Sequence, residues 1–172
     1  MSQSRSTERS VSRARFSAAI CGNPNCGKTT IFNALTGMRQ RVGNFPGVTV
    51  ENVTGEFTYS DRDEAVTVVL QDVPGSYSLA AFSPDEYIAA QALFGQFAER
   101  PPDVIVCTID ATNLERGLYL LFQVLEIGRP VVVALNMIDL AERRGIHIDE
   151  HKLSQLLGGV PVVPMVANRG RG

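Results

Sequence analysis

The sequence predicts an α/β fold, with a mostly parallel, doubly wound sheet of six strands and helices on both faces. Three observations predict it. Short apolar runs rich in Val and Ile recur along the chain, helical patterns separate most of them, and several runs are continuous, as in strands buried on both faces. The runs span 16–21, 53–60, 65–72, 103–110, 130–136 and 160–166. The turn-forming residues DRDE, 61–64, join the second run to the third, which predicts a hairpin and one antiparallel edge strand.

Capping residues mark where the predicted helices begin and end. The first helix covers 28–35 and stops before Gly37, since glycine favours the left-handed conformation that ends helices. Ser83 followed by Pro84 predicts the start of the second helix, and Asp149 caps a fourth that ends before two glycines. The third helix presents an apolar face made of Leu114, Leu118, Leu121 and Leu125. Folds of this kind bind ligands at the carboxyl ends of their strands.

The composition indicates one globular domain behind a charged tail. The chain has 172 residues, and the first fifteen are rich in Ser and Arg, so we expect 1–15 to be a disordered tail and 16–172 to be the domain. The same bias also suits a transit peptide. The tail has a net charge of +3, which leaves −5 on the remainder and argues against nucleic-acid binding. Three cysteines without C-x-x-C spacing indicate a reduced compartment.

The segment GNPNCGKTT, residues 22–30, matches the phosphate-loop pattern G-x-x-x-x-G-K-[ST] between a predicted strand and a predicted helix. In this loop the backbone N–H groups cradle phosphates, the lysine reaches the β- and γ-phosphates, and the following hydroxyl binds Mg²⁺. Lys28 is therefore an expected catalytic residue and Thr29 an expected magnesium ligand. The expected phosphate contacts are Gly22, Asn23, Pro24, Asn25, Cys26, Gly27, Lys28, Thr29 and Thr30.

The second motif is DVPG, residues 72–75, at the end of the third predicted strand. D-x-x-G alone is common in turns, but its position after a phosphate loop makes it informative. We expect Asp72 to hold the Mg²⁺ shell and the N–H of Gly75 to contact the γ-phosphate.

The third motif is NMID, residues 136–139, which resembles the N-K-x-D base-reading loop of GTPases. The Asp139 carboxylate accepts from the N1–H and the amino group of guanine together, an arrangement of donors that adenine lacks. Asn136 is expected to tie this loop to the phosphate loop. Met137 replaces the usual lysine, and its side chain can still cover the base.

Two further segments occupy positions that GTPases use. VGNFPGVTVE, residues 42–51, lies between the first helix and the second strand, and its Thr49 stands where GTPases place the switch threonine that ligates Mg²⁺. VANRG, residues 166–170, stands where Ser-Ala-Lys is usual, and the match is poor. The guanine contacts expected there are Val166, Ala167 and Asn168.

Together these motifs resemble the Ras-like G domain of the bacterial ferrous-iron transport protein B family, chiefly through GNPNCGKTT, NFPGVTVE, DVPGSYSL and NMID. The resemblance implies a P-loop GTPase that converts GTP to GDP and phosphate with Mg²⁺. Similar potassium-activated GTPases use an asparagine at position 25 as a K⁺ ligand, so Asn25 is an expected catalytic residue and K⁺ an expected activator. Ser76 stands where Ras-like proteins have a glutamine, so we expect slow intrinsic hydrolysis without a side-chain general base.

The resemblance also implies partners. In that family a helical linker and a transmembrane iron-permease region follow the G domain, so we expect a fragment cut before its closing helix, from a protein at the cytoplasmic face of the bacterial inner membrane. No apolar run reaches about 18 residues, so the fragment itself is expected to be soluble. We expect no nucleic-acid partner and leave homo-oligomerisation open. The alternatives are a GTPase of ribosome assembly or tRNA modification, and a nucleotide-gated binding module that does not hydrolyse GTP.

Overall fold

Seven strands form one sheet in residues 14–61 and 64–172, which are the residues that this computed structural model describes. They are β1 (Ala14–Gly22), β2 (Gln40–Asn44), β3 (Glu51–Asp61), β4 (Glu64–Asp72), β5 (Val104–Asp110), β6 (Val131–Asn136) and β7 (Val162–Pro164). Their order in the sheet is β2–β3–β4–β1–β5–β6–β7. β1 pairs in parallel with β4 and β5, and β6 pairs in parallel with β5 and β7, which confirms the predicted α/β class.

The antiparallel end of the sheet has one strand more than the prediction. β3 runs antiparallel to β4, as the DRDE turn predicts. However, β2 pairs with the outer side of β3, so β2 is the edge strand and β3 is the second strand from that edge. The prediction of six strands was wrong because every side chain of β2 is exposed. A strand without a buried face shows no apolar alternation in the sequence.

Five α-helices are found in the described residues: α1 (Lys28–Thr36), α2 (Pro84–Leu93), α3 (Leu114–Glu126), α4 (Ile138–Arg143) and α5 (Glu150–Leu156). The predicted caps are confirmed. Gly37 is left-handed with φ 59°, and the side chains of Ser83 and Asp149 accept from backbone N–H groups in the first turns of α2 and α5. The sequence prediction omits α4, because six residues are too few to show helical periodicity.

Alternate residues of β1 enter two cores, one on each face of the sheet. Ala18 and Ile20 pack with buried residues of α1 and β4. Ala19 and Cys21 face the other side, where α2, α3 and α4 contribute the buried side chains. Since side chains alternate along a strand, a continuous apolar run such as β1 supplies both cores and lies in the middle of the sheet.

The buried face of α3 differs from the predicted one. The fully buried residues are Gly117, Leu120, Leu121 and Val124, so only Leu121 of the predicted face reaches the centre of the core. The other three predicted leucines are partly buried at its margin. The reason is close packing at Gly117, where an added Cβ would collide with the side chain of Ile109 on β5.

The amino-terminal end of β1 lies at the limit of the described residues. The predicted disordered tail falls outside them, except for Ala14 and Arg15, which begin β1. The Arg15 guanidinium pairs with Glu56 of β3 at 2.7 Å, although both side chains are largely exposed. Within residues 14–61 and 64–172, no helix combines the length and the apolar character needed to cross a bilayer.

Candidate nucleotide-binding site

The carboxyl ends of the parallel strands bring the predicted motifs to one edge of the sheet. Gly22 ends β1, Asp72 ends β4 and Asn136 ends β6. Ile20 of β1 pairs with Asp72 of β4, so the phosphate loop and DVPG leave the sheet side by side. On the other side of β1, Gly22 pairs with Thr108 of β5. This is the edge at which open α/β sheets bind ligands.

Three backbone features shape the phosphate loop between β1 and α1. Gly22 has no room for a side chain, because an added Cβ would lie 2.5 Å from the carbonyl oxygen of Thr108. Gly27 is left-handed with φ 88°, and an added Cβ would collide with the side-chain amide of Asn136. Asn25 is also left-handed, with φ 64°, a conformation that asparagine tolerates better than most residues. The loop opens directly into α1, whose unpaired N–H groups favour an anion.

Buried side chains support the loop from beneath. Cys26 is 1% exposed, and burial raises the pKa of its thiol to about 11 against the opposing effect of Lys28. The thiol therefore stays protonated, and Cys26 is a small packing residue rather than a nucleophile. Asn23 is also buried, whereas Pro24 and Asn25 are exposed.

The ammonium group of Lys28 pairs with the carboxylate of Asp72, and both side chains are mostly buried, at 12% and 13% exposure. Thr29 and Thr30 are exposed in the first turn of α1. These groups fit a phosphate with Mg²⁺, which takes one or two protein oxygens and completes its shell with phosphate and water. In the described part of the chain no three His, Cys, Asp or Glu side chains are grouped so that they could hold a metal ion by themselves.

The DVPG segment packs directly on the phosphate loop. An added Cβ on Gly75 would lie 3.3 Å from the Cα of Pro24, and the N–H of Ser76 donates to the carbonyl oxygen of Gly22 across 3.2 Å. Ser76 is 3% exposed, and its hydroxyl has no hydrogen-bond partner among the described residues. The side chain that follows DVPG is therefore buried and is not presented to solvent.

Residues 76–82, which follow DVPG, are held against α3. The Gln123 side-chain oxygen accepts from the N–H of Leu79 across 2.6 Å and from the Ser78 hydroxyl across 3.4 Å. The Arg116 guanidinium lies 3.8 Å from the ring centroid of Tyr77, a cation–π contact. The sequence prediction missed both α3 residues, because a single glutamine or arginine on a helix forms no motif.

Asn136 joins three of the predicted motifs. Its side-chain amide donates to the carbonyl oxygen of Cys26 across 2.9 Å, and its side-chain oxygen accepts from the N–H of Ala167 across 3.0 Å. The residue is 3% exposed, so these bonds are made away from water. They place NMID and VANRG directly beside the phosphate loop.

A cavity of about 310 Å³ lies beside the phosphate loop, and its walls include Gly27, Met137 and Asp139. Met137 is left-handed with φ 63°, and its Cε would lie 3.7 Å from a Cβ on Gly27. The methionine side chain therefore covers the wall formed by the loop. Val166, Ala167 and Asn168 line the same cavity. The lining is mixed, with apolar side chains such as Met137 and Val166 beside the carboxylate of Asp139, and a flat heterocycle fits a site of that composition.

Two arginines that the sequence prediction missed, Arg143 and Arg169, also line this cavity. Arg169 lies just beyond Asn168, where the prediction stopped. Its guanidinium is 3.7 Å from the carboxylate of Asp139. Only the fold shows this contact, because Asp139 lies in α4 and Arg169 lies 30 positions later, in the turn after β7.

The segment that contains Thr49 is anchored by an aromatic residue. Phe45 is 1% exposed, its ring centroid lies 4.9 Å from that of Phe97, and its N–H donates to the carbonyl oxygen of Val50 across 2.9 Å. Thr49 lies exposed in the short loop between Phe45 and β3. The predicted switch segment thus combines a strand, a buried anchor and an exposed threonine.

Comparison with known proteins gives a consistent result. The family model described as ferrous iron transport protein B matches residues 16–172. The Fe(2+) transporter FeoB of Legionella pneumophila is 52% identical over 159 residues, which cover 90% of this chain and 20% of that protein. The chain therefore spans about a fifth of the length of this relative.

Solved structures agree with the sequence comparison. The G domain of the T. maritima FeoB iron transporter superposes with a TM-score of 0.79 at 41% identity, over 92% of this chain and 91% of that one. A variant of S. thermophilus NFeoB bound to GDP superposes with a TM-score of 0.78 at 47% identity, over 90% of this chain and 57% of that one.

Proposed function

Since the chain belongs to the ferrous iron transport protein B family, we propose that it binds guanine nucleotides and hydrolyses GTP to GDP and phosphate. Relatives in this family form GDP complexes, and the residues of the cavity and phosphate loop suit that ligand. The family match favours this function over a GTPase of ribosome assembly or tRNA modification.

The observation that carries the proposal is the double hydrogen bond of Asn136. It joins the loop that fits phosphates to the loop that fits a base, with Asp139 in the wall of the cavity between them. A carboxylate at that edge accepts two hydrogen bonds from guanine, whereas adenine presents the acceptor N1 there and cannot donate both. Two acceptors that face each other at a partly buried site lose their hydrogen bonds to water, and this cost discriminates against adenine.

The proposed roles of the phosphate-binding residues follow from their positions. Lys28 and the backbone N–H groups of the phosphate loop, to which Pro24 contributes none, bind the β- and γ-phosphates, and the N–H of Gly75 contacts the γ-phosphate. Thr29, Thr49 and Asp72 would hold Mg²⁺ together with phosphate oxygens, and the ion would supply positive charge beside the bond that breaks. Lys28 leaves its pair with Asp72 when it turns to the phosphates.

We propose that intrinsic hydrolysis is slow. Phosphoryl transfer depends on positioning and charge neutralisation, and Ras-like proteins orient the attacking water with a glutamine after D-x-x-G. Ser76 occupies that place here and is 3% exposed. Its short, buried side chain supports a mechanism without a side-chain base.

We further propose that K⁺ stimulates turnover through Asn25. The side chain is exposed at the tip of the phosphate loop, where an amide oxygen can join phosphate oxygens around a cation. The left-handed backbone at φ 64° offers a second reason for an asparagine at this position. An Asn25→Gly substitution separates the backbone role from the role as a K⁺ ligand, because glycine adopts the left-handed conformation and has no side-chain amide.

In the full-length protein the domain is proposed to regulate ferrous-iron transport from the cytoplasmic face of the bacterial inner membrane. The proposed partners are a helical linker and a transmembrane permease region of the same polypeptide. This proposal rests on longer relatives, of which the match covers 20%.

Calorimetric titration with GDP and ADP, followed by phosphate release from GTP with Mg²⁺, tests the proposed function. We expect GDP to bind at least about a hundredfold more tightly than ADP. Guanine makes a bidentate contact with the carboxylate of Asp139, worth about 3 kcal/mol, and adenine does not. Equal affinities would contradict guanine recognition. Tight GDP binding without phosphate release in either KCl or NaCl would instead support the non-hydrolysing alternative.

A further inference from the structure

Arg169 reaches the carboxylate proposed to read guanine. Its Nη2 lies 3.7 Å from Oδ2 of Asp139, and the two side chains are 59% and 17% exposed. Asp139 stands in the first turn of α4, and Arg169 lies in the loop after β7. The ion pair therefore joins two elements that both line the cavity.

Backbone hydrogen bonds fix the loop that carries Arg169. Its N–H donates to the carbonyl oxygen of Val166 across 2.9 Å, and the N–H of Val166 donates to the carbonyl oxygen of Arg171 across 2.7 Å. Gly170 is left-handed with φ 62° and closes the turn. At the other end, Asn136 holds the N–H of Ala167. These bonds hold the backbone of Arg169 beside α4, within reach of Asp139 for its exposed side chain.

Guanidinium and guanine present the same pattern of donors to a carboxylate. Arginine offers a planar fork of N–H groups, and guanine offers its N1–H and amino group side by side. Both patterns use the two oxygens of one carboxylate. Asp139 and Arg169 line the same cavity. A guanine that bonds to Oδ1 and Oδ2 of Asp139 from this cavity takes the acceptor sites that face it, and the guanidinium is displaced from them.

We propose that Arg169 competes with the guanine base for Asp139 and thereby weakens guanine-nucleotide binding. This inference rests on the proposed function of the same site. Arg169 acts through Asp139 and is an affinity-setting residue rather than a catalytic one. Since one partner is largely exposed, the pair is weak, and its removal should strengthen GDP binding about two- to fivefold.

The test compares GDP affinity, measured by calorimetry, for the unmodified protein, Arg169→Ala and Arg144→Ala. Arg144 is exposed at the end of α4 and does not line the cavity, so its replacement removes the same charge without the pair. We expect tighter binding for Arg169→Ala alone. The gain should shrink as KCl rises from about 50 mM to 500 mM, since salt screens exposed pairs.

A second arm asks whether the effect needs Asp139. In an Asp139→Asn background, titrated with XDP, Arg169→Ala should change affinity less than about 1.5-fold, because no ion pair remains to be removed. Unchanged or weaker GDP binding by Arg169→Ala would overturn the inference, as would an equal gain from Arg144→Ala or a gain that persists without Asp139. If the unmodified protein bound neither GDP nor GTP, the proposed function itself would fail.

Discussion

The side-chain amide of Asn136 donates to the backbone oxygen of Cys26 across 2.9 Å, although the two residues are 110 positions apart in the sequence. The same side chain accepts from the N–H of Ala167. One buried residue thereby holds the proposed phosphate-binding and base-binding loops at a fixed separation. We therefore expect fold stability and nucleotide affinity to depend on the same two hydrogen bonds.

Replacing Asn136 with alanine should therefore weaken both properties. The change leaves a buried carbonyl oxygen and a part-buried N–H without their partner, so the free energy of unfolding should fall by about 1–3 kcal/mol. GDP affinity should fall at least about tenfold, because the two loops lose their fixed separation. Urea denaturation and calorimetry measure the two effects. Asn113→Ala, at an exposed asparagine whose side chain caps no N–H, is the matched control and should change neither property.

Gln123 provides a test of how the segment after DVPG is held. Gln123→Ala removes the acceptor of the Leu79 N–H, so hydrogen exchange across residues 76–82 should become faster. The free energy of unfolding should fall by about 1 kcal/mol, and GDP affinity should stay the same. Glu126→Ala, one turn further along α3 and exposed, should leave exchange unchanged. Unaltered exchange at Leu79 in Gln123→Ala would show that α3 does not hold this segment.

Thr49 should matter for turnover and not for GDP binding. Its side chain is exposed, so Thr49→Ala should fold normally. If its hydroxyl contacts Mg²⁺ only when the γ-phosphate is present, GTP hydrolysis should slow by on the order of tenfold or more, while GDP affinity stays near normal. Thr49→Ser keeps the hydroxyl and should restore most of the rate. Loss of GDP binding in Thr49→Ala would instead make Thr49 a structural residue.

Asn25 should account for stimulation by potassium. GTP turnover in KCl should exceed that in NaCl by more than about tenfold, but by less than the 10³–10⁵ that an arginine finger supplies. Asn25→Gly keeps the left-handed backbone and removes the amide oxygen, so it should bind GDP and lose most of the difference between the salts. Asn25→Asp keeps an oxygen ligand and also tolerates the left-handed backbone, so this variant should retain the difference in turnover between KCl and NaCl. Equal rates in KCl and NaCl for the unmodified protein would leave Asn25 with a loop role only.

Local patterns in the sequence predict most of this fold, because strand burial, helix ends and loop conformation each depend on neighbouring residues. The continuous apolar run of β1 predicts a central strand, Gly37 and Ser83 predict helix ends, and the glycines at 22 and 27 predict a loop that binds phosphate. Each of these signals depends on residues within a few positions of one another. The predicted limits of the six strands accordingly differ from the observed ones by two residues at most.

Contacts between distant residues account for what the sequence could not predict. β2 is a strand because its backbone pairs with β3, although none of its side chains is buried. The buried face of α3 is set by the fit of Gly117 against Ile109. Two further contacts each join a helix to a segment outside it: Asp139 of α4 pairs with Arg169, and Gln123 of α3 accepts from the N–H of Leu79. The spacing of residues along the sequence does not predict such contacts between distant segments.

The most direct test of guanine recognition is the affinity of Asp139→Asn for GDP and XDP. Asparagine replaces one carboxylate acceptor by a donor, which suits the carbonyl oxygen at C2 of xanthine and opposes the amino group of guanine. We expect GDP affinity to fall by about a hundredfold, about 3 kcal/mol, and XDP to become the preferred ligand. Unchanged GDP affinity in this variant, with XDP still excluded, would contradict the assignment of Asp139 and with it the central claim.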